Sequence, residues 1–414
     1  MSLVGEKERA HLEITKTQNF LKEKFRNYYS SVKLKTPPRF TSREWGFLGW
    51  SGKLMNRHQS FRSKKDLQSY LSKYGPKHAY HSVAYYSIPN APTMKDKSWQ
   101  GADLIFDLDA DHIPNAKQVL SSDPDGFQKL MKTIQDQTYR LVNDFLLGDM
   151  AFDIKDLMIT FSGGRGYHVH IRDASVLNLS SSARRDIVDY VTGQGLIRTN
   201  LLKDSSHMAN LKSKGIEYSK KITISNFSLY DQNAPGWQGH ISRHINDFLN
   251  NLSTLDRKSQ INNLVAINGI TPSMANKIKI SDNSSLTFRN MSRKNGELSK
   301  AQSSLVNMAV QQQSVFPDEP VTGDTHRLIR LPNSLHGGSG MSVVELDLET
   351  LKTFIPLEEA TVFGDSMINI KALRSSKIKM GKVYNLKEGE VTSVPEKVGI
   401  YFMCRGLASL TLKT

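Results

Sequence analysis

The chain has 414 residues and one cysteine, Cys404; the length favours two or three structural units, and a single thiol excludes an intrachain disulfide and any multi-cysteine zinc or iron–sulfur site. A formal charge of +15, in a protein only 23% charged, favours an anionic partner such as nucleic acid, nucleotides or an acidic membrane surface. The N-terminal MSLVGEKERAHLEITK lacks the apolar core of a signal peptide, and no apolar run approaches the roughly 18 residues of a membrane helix, so the chain is expected in a reducing, cytoplasmic setting away from membranes.

From Glu6 to Tyr29 apolar residues at Leu12, Phe20, Leu21 and Phe25 recur among charges with helical spacing. The following stretch, Arg26 to Arg62, interleaves basic residues with Tyr28, Tyr29, Phe40, Trp45, Phe47 and Trp50, a mixture that can track phosphates and stack bases. Core packing is the expectation for Trp45 and Phe47; Trp50 stays open. A helix is predicted over Lys65–Lys73, and the β-rich AYHSVAYYSI leads into LIFDLDADH, residues Leu104 to His112.

Strand side chains alternate faces, so Asp103, Asp107, Asp109 and Asp111 share one side of this segment and Leu104, Phe106 and Leu108 the other. Crowded carboxylates repel unless a cation neutralises them, which suggests a hard divalent metal. A strand end with solvated acids gives the same pattern. Helical spacing over Gly126–Leu147 then returns the chain to a second strand, DLMITFSGG, and to SGGRGYHVHI, residues Ser162 to Ile171. Its glycines let backbone amides approach an anion, Ser162 adds a hydroxyl and Arg165 a planar fork for phosphate oxygens. If the segment after Gly166 is extended, His168 and His170 point the same way. Zinc ligation by this pair is disfavoured without further Cys or His nearby.

Ser181 and Ser182 precede ARRDIVDYV as a predicted helix start. Residues 236 to 312 are rich in Asn, Ser, Lys and Gln, with Ile245, Phe248, Leu249, Leu252 and Leu255 at helical spacing and a Thr271–Pro272 cap; they read as a helical insertion with turn-like links at SDNSS and RKNGE. Strand character returns after Val315 in HRLIRLP, MSVVELDL and IYFMC. In DEPVTGDTHRLIRLPNSLHGGSG, residues Asp318 to Gly340, acids at Asp318 and Asp324 join Arg327, Arg330 and His336. On an extended HRLIR, His326 and Arg330 share one face. Such a cationic face neutralises a triphosphate, or is merely a solvated edge.

The DxD strand, the Gly-Arg-His loop and the distant Asp before RLIRLPNSLHG, taken together, closely resemble the catalytic small subunit of archaeal and eukaryotic type DNA primases. The resemblance runs from about Arg43 to the C-terminal MCRGLA. It implies an α+β, mixed α/β catalytic-core fold, with a catalytic body of residues 1–235 and 313–414 in two sheet-containing portions flanking the active site, interrupted by the 236–312 helical insertion. It implies a nucleotidyltransferase in which Asp107, Asp109 and Asp318 hold two Mg2+ or Mn2+ ions; spacing alone leaves Asp324 open as the third carboxylate. By the same resemblance Ser162, Arg165 and His168 contact the triphosphate of the incoming nucleotide, Arg330 and His336 form a second set, and Arg57 in NRHQSF is a weaker candidate. Two metals about 3.5 to 4 Å apart need carboxylates that span both. The expected activity is synthesis of short primers on single-stranded DNA from nucleoside triphosphates, beside a large regulatory subunit. Many members of that family carry a small Cys-rich or Cys/His zinc module shortly after the DxD strand; HIPNAKQVLSSDPDGF has no cysteine, so no structural zinc is expected. A primer-extending repair polymerase, a metal-dependent nuclease and a non-catalytic nucleic-acid-binding assembly subunit are the competing functions.

Overall fold

The computed structural model describes residues 3–52, 54–204, 207–213, 216–224, 227–291 and 298–411. They form two compact units: Met1–Val142 with Phe152–Val188 and Phe316–Thr414, and Asn143–Ala151 with Asp189–Val315. The fold is α+β, and the pairs in both four-stranded sheets of the first unit are antiparallel.

In the first unit one sheet has the order Val344–Leu346, Leu157–Phe161, Gly166–Ile171, Leu104–Asp109. Alternation along Leu104–Asp109 divides it into an apolar and an acidic face: Leu104, Phe106 and Leu108 are fully buried, whereas Asp107 and Asp109 are half-buried. The helix Gly126–Arg140 packs on this strand and on Gly166–Ile171, burying Phe127, Leu130, Met131 and Ile134. Each such side chain contributes about 1.5–3 kcal/mol.

The second sheet has the order Leu328–Arg330, His78–Ser82, Trp45–Leu48, Met55–Gln59. Trp45 and Phe47 are buried, in keeping with the expectation of core packing. Trp50 is half-buried, its indole N–H donating to the Gly75 carbonyl at 2.9 Å and its ring meeting Phe25 edge-on. Ile105 of the acidic strand packs with Val83, Ala84, Val321 and Ile329, so the polar face of the first sheet lies toward the second. The first helix, Leu3–Ser31, buries Leu21, Phe25 and Tyr29 but leaves Leu12 exposed.

Two local expectations change. The helix Ser181–Thr192 is capped by Ser180, whose Oγ accepts from the Ala183 amide at 3.2 Å, because the serine one position earlier is the one outside the first turn. IYFMC belongs to a helix, Glu396–Cys404, instead of a strand. Val398 and Ile400 to Cys404 are all buried, and a helix covered on every side shows no polar face to betray its period.

The second unit contains the hairpin His207–Ser213/Ile216–Ile224 and the helices Gly236–Ser253, Arg257–Val265, Pro272–Lys277, Ser284–Asn290 and Lys300–Gln313. It begins well before the 236 boundary read from composition. Ile245, Leu249 and Leu252 are buried as their spacing demands, while Leu255 lies beyond the helix end and is largely exposed. Thr271 caps the helix at Pro272, accepting from the Met274 amide at 3.3 Å. Asn283 of SDNSS caps Ser284–Asn290; RKNGE lies outside the described residues. The predicted helix Gly126–Leu147 is regular to Arg140 and then widens into a π-helix, Leu141–Asp149. Within the second unit Asp149 accepts from the Tyr190 hydroxyl at 2.9 Å and the Gly236 amide at 3.2 Å, and meets His240 Nε2 at 2.8 Å. The wide helix therefore ends on an aspartate with three partners. Among the described residues no helix is long and apolar enough to cross a membrane.

Candidate active site

The acidic strand and the histidine strand Gly166–Ile171 pair in a register that sets Asp107 opposite His168 and Asp109 opposite Gly166. Gly166 is required: a Cβ there would lie 2.2 Å from the Leu108 carbonyl oxygen. The turn before it, Ser162–Arg165, has Gly163 at φ +75°, a backbone conformation that costs glycine little. The Ser162 Oγ accepts from the Gly164 amide at 3.3 Å, and Ser339 clamps the turn from a second loop by donating to the Gly163 carbonyl at 2.5 Å.

Asp107 is 22% exposed, and His168 Nε2 lies 3.6 Å from its Oδ1. Asp318 joins them from far along the chain. Its amide donates to the Asp107 carbonyl at 2.8 Å, and its carboxylate starts the helix Glu319–Gly323 by accepting from the Val321 amide at 3.4 Å. Burial, reinforced by the charges of Asp109 and Asp318, pushes the Asp107 carboxyl up to about 7 against the pull of Arg330 and Arg327. Asp324 does not share this position. It accepts the His326 amide at 2.8 Å and its charge acts on Tyr86.

Of the other two acids on the same face, Asp103 is fully buried, 2.8 Å from Arg43 and accepting from the Tyr85 hydroxyl. Asp111 pairs with Arg165 at 2.5 Å. Among the described residues no three His, Cys, Asp or Glu side chains close into a ready-made metal shell.

A cavity of about 360 Å3 opens beside Asp107 and Asp109, with Ser162, Gly164, Arg165, His168, Arg330 and His336 on its wall. Gly338, Ser339 and Arg405 complete the lining. Arg330 is oriented by two neutral groups: its Nη1 donates to His78 Nδ1 at 2.7 Å and to the Tyr80 hydroxyl at 3.1 Å. Burial first, then the charges of Arg330 and Lys77, push His78 down to about 3, so it accepts instead of carrying a proton there. Burial does the same to His168, to about 3, with Arg330 and Arg327 adding to it. His336 is held well below its usual range for the same reason, and its Nδ1 accepts from the Gly338 amide at 3.1 Å, which leaves Nε2 as the protonated nitrogen. A Cβ on Gly164 would stand 3.0 Å from that Nε2.

Seven of the residues singled out in the sequence therefore border one cavity, and Asp318 stands behind Asp107. Arg57 is placed elsewhere: its guanidinium grips the buried Glu44 carboxylate at 3.0 and 3.2 Å, with Lys97 3.3 Å from the same group. His170 is also withdrawn, fully buried and stacked on His81 at 6.3 Å. His326 shares no face with Arg330, because the strand begins only at Leu328; its ring stacks on Tyr86. Sequence reasoning passed over His78, Tyr80, Ser339 and Arg405. His78 and Tyr80 sit in KHAYHS, where alternation puts them on one face, and Arg405 is the only charge in MCRGLA.

The α+β core thus sets a carboxylate pair against a glycine-lined cationic wall, an arrangement whose chemistry suits an anion beside a concentrated negative charge. A profile of the DNA primase small subunit matches residues 106–348. The DNA primase small subunit PriS of Methanothrix thermoacetophila is 37% identical over 96% of this chain and 99% of its own length. Those of Methanococcoides burtonii and Haloarcula marismortui are 38% and 34% identical, each over 95% of this chain and 98% of their own. The chain belongs to the DNA primase small-subunit family.

Proposed function

We propose that this chain is the catalytic subunit of a DNA primase, joining nucleoside triphosphates into short primers on a single-stranded DNA template beside a large regulatory subunit. The supporting observation is that one cavity holds Asp107 and Asp109 at one end and Arg165, Arg330, His168 and His336 around the rest. An acidic pair alone suits many reactions. An acidic pair facing a phosphate-sized cationic pocket suits transfer of a nucleotidyl group.

In that reaction a primer 3′-oxygen attacks the α-phosphorus, the bond to the bridging oxygen breaks, and pyrophosphate leaves with the electron pair. Asp107, Asp109 and Asp318 fit divalent ions: the donors are all oxygen, which favours Mg2+ or Mn2+, and the Asp107 carboxyl, pushed up to about 7 by burial first and then by the charges of Asp109 and Asp318, is a group that a cation would stabilise in its ionised form. When bound, such ions supply charge neutralisation and a lowered pKa for the attacking hydroxyl. Arg165 and Arg330 draw the phosphates into line, and the Ser162–Gly164 turn offers an amide and a hydroxyl within the same wall. Neutral His168 and His336 donate hydrogen bonds to phosphate oxygens without adding further positive charge to a cavity that already contains three arginines. Arg57 joins this set only if nucleotide binding frees it from Glu44.

The test is de novo synthesis from template and triphosphates with Mg2+ or Mn2+, run with and without the large subunit. Labelled short products are expected in the absence of any supplied primer. No product under any of these conditions overturns the reading, and products only from a supplied primer reassign the chain to end extension.

A further inference from the structure

Three arginines stand on the cavity wall, and they are compensated unequally. Arg165 has the Asp111 carboxylate at 2.5 Å, and Arg330 leans on neutral His78 and Tyr80. Arg405 has no carboxylate within ion-pair distance among the described residues, and its Nε is buried without an acceptor. The residue follows the helix Glu396–Cys404, where its guanidinium carbon lies 5.0 Å from the centre of the Tyr401 ring. A buried donor with no partner is destabilising unless a ligand completes it, and crowding a third guanidinium near two others adds repulsion that an anion relieves.

The position of Arg405 within the cavity is also marked. Its charge acts on His336 and Tyr401, as does that of Arg165. A Cβ on Gly340 would lie 3.7 Å from the Sγ of Cys404, the residue before Arg405, so Arg405 enters the cavity beside the His336–Ser339 loop and from a different element than the acidic strand.

We propose that Arg405 binds the pyrophosphate half of the incoming nucleoside triphosphate, the β- and γ-phosphates that leave. This rests on the nucleotidyl-transfer reading of the cavity. In that reading the α-phosphate lies where the new bond forms, near Asp107 and Asp109, so the remaining phosphates extend toward Arg165, His336 and Arg405. As the bond between the α-phosphorus and the bridging oxygen breaks, the electron pair stays with pyrophosphate, and an arginine fork at its far end meets growing negative charge. The contact is blind to base and sugar.

An alternative role is purely structural, since a cation at a helix C-terminus complements the helix dipole. Lysine retains that role but not the planar fork. The experiment compares the full chain with its Arg405→Ala, Arg405→Lys and Arg330→Ala variants, by calorimetric binding of ATP carrying a methylene bridge between the α- and β-phosphates, of AMP, and by inhibition with inorganic pyrophosphate. Arg405→Ala is expected to weaken the triphosphate analogue and pyrophosphate about ten- to a hundredfold, the loss of one or two charged hydrogen bonds. AMP affinity stays unchanged, the thermal midpoint of the unliganded protein holds or rises, and Arg405→Lys falls between. Equal weakening of AMP and the triphosphate, or a lowered midpoint without selective ligand loss, overturns the assignment in favour of the structural role. Unchanged triphosphate binding in Arg405→Ala while Arg330→Ala weakens it overturns Arg405 alone; unchanged binding in both removes the nucleotide from this cavity altogether.

Discussion

Asp103, Asp107, Asp109 and Asp111 share one side of an extended segment, yet their surroundings give them separate tasks. Asp103 neutralises Arg43 with neither group exposed, so Asp103→Ala leaves a buried guanidinium unpaired and should cost about 3–5 kcal/mol, read as a lower denaturation midpoint. Asp109→Asn removes a repulsive charge from the edge of a cavity: the midpoint should hold or rise while primer synthesis is lost and DNA binding persists. Equal destabilisation by the two substitutions would contradict this division. The raised Asp107 carboxyl gives a pH signature whose sign is fixed. Its folded value, about 7, lies above the ordinary 3.8, so the metal-free protein loses stability as pH rises between them. Metal binding needs the carboxylate, so Mn2+ affinity should fall about tenfold per pH unit below 7 and level off above it. Calorimetric Mn2+ titrations at pH 6, 7 and 8 check this; an affinity flat across that range would remove Asp107 from the metal site. In Asp109→Asn the break should move to lower pH, because one of the charges raising Asp107 is gone.

The elements that could be read from sequence are those with a wet side and a dry side. Leu104–Asp109 alternates because one face meets the helix Gly126–Arg140 and the other the cavity, and the helix at Thr271–Pro272 announces itself through its cap. IYFMC misleads for the opposite reason: with nearly every residue of Glu396–Cys404 buried, apolar content carries no period. The hairpin joining Leu157–Phe161 to Gly166–Ile171 combines both kinds of information. Its glycines are visible in SGGRG, but the reason Gly166 is indispensable, the Leu108 carbonyl that a Cβ would strike at 2.2 Å, exists only once the strands pair. Backbone on both sides cannot step aside as a flexible side chain does. Gly166→Ala should therefore disturb the Asp109–Gly166 register, destabilise the protein by about 1–3 kcal/mol and weaken triphosphate binding together. Chemical denaturation and nucleotide titration on the same preparation test it, and a stable protein with unaltered nucleotide affinity would show that the turn tolerates the displacement.

At the scale of the whole molecule, the candidate site is assembled from segments more than 200 residues apart, Asp107 near Asp318 and Arg330 against His78. Strand periodicity offered four acids and two possible third carboxylates. Tertiary packing sets Asp318 against Asp107 and Asp324 elsewhere, a difference that spacing along the chain does not contain. Arg57 shows the complementary limit, since a basic residue in an aromatic stretch carries no sign that a buried Glu44 will hold it. Net charge works differently, because its effect does not depend on where each residue packs. With 55 Lys and Arg against 40 Asp and Glu, the proposed template would bind by displacing counter-ions, so the logarithm of its association constant should fall linearly with the logarithm of salt concentration, by about 0.7 for each phosphate neutralised on a single strand. In the proposed reaction the cavity arginines contact the triphosphate instead, so Arg330→Ala should leave that slope unchanged while weakening the nucleotide. Fluorescence titrations of a labelled oligonucleotide across a salt series separate the two effects. A slope near zero would detach the positive excess from nucleic-acid binding; a slope that drops by about 0.7 in Arg330→Ala would place the template backbone, not the triphosphate, in the cavity.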